Sequence, residues 1–335
     1  MRHSAFPLLR LAIALGALGG LVFADVSYGQ SAPAPTSTRT PIRLLAGFPP
    51  GGGVDILARL FAEPLSEATG RTVIVENRPG AAGRLAMDLL HSAPADGSTL
   101  MIAPDATVVL YPQTVRGSAE PVFDLTPIAQ TGAFAMGFAA TSSLATGGLE
   151  GFAQWARTHP AEATFASAGA GGSTHLYGLL IGQALGVPLR HVPYKGAAPA
   201  IADLMAGHVA STVQPVGTML AQARANRLVV LASSGARRSS LAPEVPTFAE
   251  LGHAGFNGDL WFGVFAPPGM PAERAESLNA IFTQTMRRAQ VRERMRALDL
   301  DARESSAAEF ATQVKTDWRR WSEVIKSTGF TGESE

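Results

Sequence analysis

Two α/β lobes, each built on a mainly parallel sheet, are the architecture this 335-residue chain predicts. Strand-like runs alternate with helical apolar spacing, which implies parallel strands joined by right-handed crossovers. One plan, a strand followed by a glycine-rich loop and a helix start, occurs once in each half. The length suits two ordinary domains, and 46% apolar residues can fill two cores.

The first half opens with apolar residues 42–46, then Gly47-Phe48-Pro49-Pro50-Gly51-Gly52-Gly53. From Asp55 onward the apolar spacing is helical, through Ile56, Leu57, Leu60, Phe61 and Leu65. Residues 72–75 read as a second strand and 82–91 as a helix entered through Asn77-Arg78-Pro79-Gly80. Residues 99–103 read as a third strand. The apolar stretch 134–140 crosses into a second lobe. Helix 149–158 follows, then strand 164–166 and the loop Ser167-Ala168-Gly169-Ala170-Gly171-Gly172-Ser173-Thr174. Helix 176–185, strand 191–192, helix 199–206 and strands 209–213 and 228–232 complete that lobe. The chain returns through strand 261–266, broken by Pro267-Pro268-Gly269. Pro271 suits a first helical turn, and Ala275, Leu278, Ile281, Phe282 and Met286 give the helix its apolar stripe. A last helix carries Phe310, Val314, Trp318, Trp321 and Ile325 on one packing face.

The N-terminus points to export. Arg2 and Arg10 flank a basic start, and residues 11–24 are almost uninterruptedly apolar. This is short of the roughly 20 residues that span a bilayer, and suits the apolar region of a secretory signal. Residues 1–24 are therefore expected to be a signal peptide cleaved after Val22-Phe23-Ala24, with a second option at 29; an uncleaved anchor is the competing reading. Residues 25–40, rich in Ser, Thr and Pro, read as a flexible linker. The chain has no cysteine, which excludes disulfides, zinc–thiolate sites, cysteine nucleophiles and a lipid-modified N-terminal cysteine. Its net charge of zero gives no sequence-independent hold on nucleic acid. The run Arg287, Arg288, Arg292, Arg294 and Arg296, interleaved with Glu293, reads as a solvated helix face.

Catalytic and nucleotide motifs fail on spacing. Gly53 stands where a phosphate-cradling loop needs Lys. The dinucleotide fingerprint requires glycine where Ile56 and Thr174 stand. Gly171-Gly172-Ser173-Thr174-His175 approaches a nucleophile elbow but ends in His, so a Ser173–His175 hydrolase is the minor reading. The seven histidines show no metal-ligand spacing. What the two loops share is physical. Glycine lets a ligand approach the backbone, and the first-turn N–H groups of a helix have no helical partner and carry partial positive charge. Such a loop holds a carboxylate without Arg or Lys. Asp55 reads as a structural cap in its helix's first turn, and Lys195 as an exposed charge at a helix start, with anion contact as its alternative.

A set of motifs then resembles one family from about residue 41 to 329. They are Pro41-Ile42-Arg43-Leu44, Phe48-Pro49-Pro50-Gly51-Gly52-Gly53-Val54-Asp55, Val75-Glu76-Asn77-Arg78-Pro79-Gly80-Ala81-Ala82-Gly83 and Pro94-Ala95-Asp96-Gly97-Ser98-Thr99-Leu100. Ala166-Ser167-Ala168-Gly169, Ser173-Thr174-His175-Leu176, His191-Val192-Pro193-Tyr194-Lys195-Gly196, Pro243-Glu244-Val245-Pro246-Thr247 and Trp261-Phe262-Gly263 follow in order. The chain resembles the Bug family of periplasmic solute receptors of tripartite tricarboxylate transporters. The resemblance implies a Venus-flytrap periplasmic binding protein with a two-strand hinge, closing on a small organic anion held mainly by backbone groups and waters. It implies a periplasmic, soluble, unlipidated monomer that works with a membrane permease and needs no cofactor, metal or catalysis; a ligand sensor without a transporter is the alternative.

Lobe 1 is expected at 41–138 plus 259–335 and lobe 2 at 139–258, with hinges near 132–140 and 255–261. Carried over, the first-lobe wall is Phe48, Pro49, Gly51, Gly52 and Gly53, and the second-lobe wall Ser167, Gly169, Ser173, Thr174 and His175. Three positions depart from the family's pattern: Asp105 in Ala103-Pro104-Asp105-Ala106-Thr107, Gln214 before Pro215, and Asp259. Asp105, Ala106, Thr107, Gln214 and Asp259 are thus expected against the ligand. An acid there would repel a carboxylate, which favours a ligand that also bears an amine, placed on Asp105; the alternative points both acids to solvent.

Overall fold

The computed structural model describes residues 40–114, 124–253, 256 and 258–331. The expected signal segment, nearly all of the linker, and Gly255 and Asn257 of the second hinge lie outside them. Two five-stranded sheets make the framework. The first contains β1 (Ile42–Ala46), β2 (Val73–Asn77), β3 (Thr99–Pro104), β4 (Thr126–Phe134) and β10 (Leu260–Ala266). The second contains β5 (Met136–Ala140), β6 (Thr164–Ser167), β7 (Arg190–Pro193), β8 (Ser211–Pro215) and β9 (Val229–Ser233). Their orders, β2-β1-β3-β10-β4 and β7-β6-β8-β5-β9, match position by position.

Each sheet is mixed by one strand. β1 pairs in parallel with β2 and β3, and β6 with β7 and β8. β10 runs antiparallel to β3 and β4, and β5 antiparallel to β8 and β9. The reversed strand is in each case the one arriving from the other lobe. Only Ala135 separates β4 from β5, so the chain continues almost straight from one sheet into the next. The start of β5 therefore meets the end of β8 (Met136↔Pro215), and the start of β10 meets the end of β4 (Leu260↔Phe134). The carboxyl ends of the parallel strands thus lie at the crossing, where open α/β sheets bind ligands. Residues 136–138, assigned to the first lobe by the expected boundary at 139, pair into the second sheet.

Two elements fall where the sequence patterns marked none. β4 carries Pro127 and Gly132, which read as breakers, yet β4 is an edge strand, where a missing N–H need not face a neighbour. Residues Ala106–Leu110 form a π-helical turn running into α3 (Tyr111–Thr114), although the β-branched Thr107, Val108 and Val109 favour strand. The helices that matter most here are α1 (Gly53–Thr69), α5 (Ser173–Leu185) and α10 (Ala307–Thr328). α1 buries Leu57, Ala58, Phe61 and Leu65. α5 lies unusually close to β6, because a Cβ on Gly178 would overlap the fully buried ring of Phe165. α10 starts on a Ser306–Glu309 capping box and buries Phe310, Val314 and Trp321. No helix among the described residues is long and apolar enough to cross a membrane.

α10 also joins the lobes. Trp321 meets the Tyr177 ring of α5 edge-on at 5.7 Å, and Gln183 Nε2 donates to the Ser327 carbonyl at 2.9 Å. The Gly258 carbonyl, in the returning segment, accepts from Tyr177 at 3.1 Å and Ser234 at 3.3 Å. Trp261 Nε1 and Gln313 Nε2 both donate to Asp317, which also pairs with Arg320. Asp105 is sealed at this seam, 1% exposed, with no hydrogen-bond partner for either oxygen. Burial, and next the charge of Asp317, push its carboxyl up to about 7, against an opposing pull from Arg320.

Two outcomes follow from this packing. Gly178→Ala must displace Phe165 or α5, and urea unfolding should show a loss of about 1–3 kcal/mol; an unchanged midpoint would contradict the close approach. Asp105 is favoured in its neutral form, so its contribution to stability is present below the ordinary carboxylate value of 3.8 and is lost as pH rises toward about 7. Asp105→Asn cannot ionise, so its stability relative to wild type should climb across that window by up to about 4 kcal/mol. Parallel pH–stability curves for the two proteins would show that the carboxyl is not held neutral.

Candidate functional site

The two glycine loops end on helix starts of nearly identical geometry. Gly52 caps α1 with φ −80° and ψ 167°, and Gly172 caps α5 with φ −84° and ψ 174°. Neither cap offers a side chain to the helix. Backbone bonding begins at Ile56 N–H to the Gly52 carbonyl, and at His175 and Leu176 N–H to the Gly172 carbonyl. Among the described residues the N–H groups of Gly53, Val54 and Asp55, and of Ser173 and Thr174, make no hydrogen bond. These are the orphan donors of a helix start, at the positive end of its dipole.

The polar side chains around each loop brace it. In the first, Asp55 is buried, and its Oδ2 accepts the Gly51 N–H at 2.9 Å. Arg59 Nε donates to both Asp55 oxygens at 3.1 and 3.0 Å, and Asn77 Nδ2 to Oδ1 at 3.0 Å. The Arg59 hydrogen bond foremost, with Gly51 and Asn77 assisting against burial, brings the carboxyl down to about 2. Asn77 also holds the Phe48 carbonyl at 3.1 Å. Gly51 itself has φ +83°, a conformation other residues rarely adopt. In the second loop Thr174 Oγ1 accepts the Ala168 N–H at 3.0 Å, Ser167 Oγ the Gly169 N–H at 3.2 Å, and His175 Nδ1 the Gly171 N–H at 3.1 Å. Burial lowers His175 to about 4, so its ring is neutral near pH 7. Ser173 is half-buried and its hydroxyl makes no hydrogen bond among the described residues.

The expected residues thus sort into two groups. Phe48, Pro49, Gly51, Gly52 and Gly53 build the first loop, and Ser167, Gly169, Ser173, Thr174 and His175 the second. Ser167, Thr174 and His175 do so by tying backbone amides, with Ser167 fully buried. Asp105 neither faces a loop nor points to solvent. Thr107 is buried and donates to the Ala82 carbonyl at 2.8 Å, pinning the turn Ala81–Gly83; Ala106 begins the π-helical turn. Gln214 is fully buried, donating to Thr212 at 3.2 Å. Asp259, expected against the ligand, pairs instead with Arg303 at 2.7 Å. Lys195 is exposed.

Three aromatic residues beside the loops, Phe262, Phe134 and Tyr111, were not among the expected site residues. Phe262 Cζ lies 3.8 Å from where a Cβ on Gly53 would stand, and its ring is 5.1 Å from that of Phe134. Both are half-buried. The Tyr111 hydroxyl of α3 lies 3.2 Å from the equivalent point on Gly172, so a first-lobe side chain reaches the second-lobe loop. No group of three His, Asp or Glu side chains that could hold a metal occurs among the described residues.

Comparison with known proteins agrees with this arrangement. Residues 57–330 match the family profile described as the tripartite tricarboxylate transporter family receptor. Protein BugT of Bordetella pertussis is 29% identical over 92% of this chain and 96% of its own length. The solved structure of Rhodopseudomonas palustris Rpa4515 with adipate has a TM-score of 0.77 at 29% identity, covering 86% of this chain and 97% of its own. MatC of the same organism with bound malate has a TM-score of 0.72 at 27% identity, covering 85% and 98%. The periplasmic binding protein BugD has a TM-score of 0.74 at 27% identity, covering 88% and 99%. The chain has the two-lobed fold of periplasmic binding proteins and belongs to the tripartite tricarboxylate transporter receptor family.

Proposed function

We propose that this protein captures a small organic carboxylate between its lobes for uptake, and turns nothing over. The paired glycine-capped helix starts carry this reading. Their open N–H groups form two anion cradles at the carboxyl ends of the sheets, and Asp55, Thr174 and His175 beside them are already engaged in holding the loops. The relatives solved with adipate and malate hold dicarboxylates. A dicarboxylate is accordingly favoured over an amine-bearing ligand, since Asp105 is sealed and Asp259 is paired. Export of the mature chain and delivery to a membrane permease are part of the same proposal. A serine hydrolase at Ser173 and His175 is disfavoured. No hydrogen bond joins the two among the described residues, and the His175 acceptor nitrogen is occupied by the Gly171 N–H. The Ser–His pair that does form, Ser167 with His191, has its serine fully buried.

Thermal melts with dicarboxylates, tricarboxylates, aromatic acids and amino acids should single out one or a few carboxylates that raise the melting temperature by several degrees at saturation. Calorimetry that ranks amine-bearing ligands far above dicarboxylates would reverse the ligand preference. Gly52→Leu places a side chain at the first cradle, where only the Pro49 carbonyl at 3.5 Å stands near. It should abolish the thermal response while changing stability without ligand by less than about 1 kcal/mol; retained affinity would move the site elsewhere. Product release from an ester panel, lost in Ser173→Ala, would replace the receptor reading with the hydrolase.

A further inference from the structure

Beneath the second glycine loop two histidines stack. The rings of His175, in α5, and His191, in β7, lie 3.6 Å apart and 11° from parallel. Each reaches the loop. His175 Nδ1 accepts the Gly171 N–H, and His191 Nε2 lies 2.7 Å from Ser167 Oγ. The same hydroxyl donates to the Gly169 carbonyl at 3.0 Å and accepts the Gly169 N–H at 3.2 Å. A hydroxyl has one proton to give. With that proton on Gly169, the nitrogen of His191 facing it must be the donor. The Gly171 contact leaves His175 Nδ1 a bare acceptor with its proton on Nε2, and the Ser167–Gly169 bond puts the His191 proton on Nε2 in the arrangement we infer.

We infer that His191 is a positioning residue for the second carboxylate cradle, and that protonation of its stacked partner His175 dismantles that cradle, giving ligand capture an acid limit. The inference rests on the binding reading above. A protonated His175 turns an N–H toward the N–H of Gly171, so two donors face each other and the loop loses an anchor. It also sets charge against the ring of His191. The surroundings offer no relief. Phe165 and Ser167 meet the pair from β6, Phe330 closes edge-on over His175 at 5.4 Å, and the Tyr111 hydroxyl from α3 approaches only at Gly172. Among the described residues no charged group acts on His175, and the charge that acts on His191 is that of His175. Burial lowers both from 6.5 to about 4, His175 adding to the lowering at His191. With depressed values, the neutral pair's contribution is complete above the ordinary 6.5 and is lost as pH falls toward about 4.

The test uses the ¹⁵N-labelled full chain, imidazole nitrogen spectra and amide exchange across about pH 3.5 to 7.5, with malate and adipate as binding probes. In wild type both rings should be neutral Nε2–H tautomers near pH 7, and Gly171 protection should fall at least ~10-fold as His175 titrates. His191→Phe keeps a stacking ring but has no donor for Ser167. It should lose Gly169 protection and weaken probe binding about 3–10-fold, and His191→Gln, which restores a donor, should recover part of both. An Nδ1–H tautomer at His175, pH-independent protection of Gly171, or wild-type protection of Gly169 in His191→Phe would overturn the inference. If neither probe binds wild type near pH 7, the binding reading falls for these ligands, while the ring and amide data still decide the role of the histidine pair.

Discussion

A helix that begins on glycine has no side chain to satisfy its first N–H groups, and the ligand-binding proposal depends on that constraint. α1 and α5 both start this way, with cap angles that differ by less than 10°. A Ser or Asp cap would fill one of those donors. Here Asp55, Thr174 and His175 are turned to other work. Asp55 reaches back to Gly51, Thr174 to Ala168, and His175 to Gly171. Each side chain fixes a loop amide just ahead of the open ones, so the donors are held before any ligand arrives, and preorganised groups lose less on binding.

The chain path supplies the facing partner. Two crossings reverse one strand per sheet and bring the carboxyl ends of both sheets to the same region. Contacts at the crossing are polar as well as apolar. Gly258 takes two hydroxyl donors, Asp259 and Asp301 meet Arg303 and Arg237, and α10 spans from Phe310 in the first lobe to Trp321 against Tyr177 of the second. Lobe closure by hinge bending, the motion typical of this fold, would have to work around these contacts. Asp105, buried there without a hydrogen-bond partner, is an acid whose protonation the fold itself favours.

Much of this was legible in the sequence, for physical reasons. Strand and helix periods mark apolar faces, so β1, α1, α5 and α10 could be read within a few residues. The glycine loops announced themselves by composition. What escaped was decided by distant pairing. Asp259 looked available to a ligand because its partner Arg303 lies 44 residues on. Asp105 sits at a strand end, where sequence fixes position but not the direction of a side chain, and the π-helical turn after it carries β-branched residues that favour strand. Pro127 hid β4, whose place at a sheet edge only the topology reveals. His191 gained its meaning from the β6–β7 register, which sets it opposite Phe165.

Whether the two helix starts jointly hold a carboxylate is most directly read from backbone amide chemical shifts on saturation with malate or adipate, whichever binds more tightly. The amide protons of Gly53, Val54, Ser173 and Thr174 should move downfield together, as donors gaining charged acceptors do. Shifts confined to one loop, or centred on Asp105 and Asp259, would contradict a backbone cradle shared by the lobes.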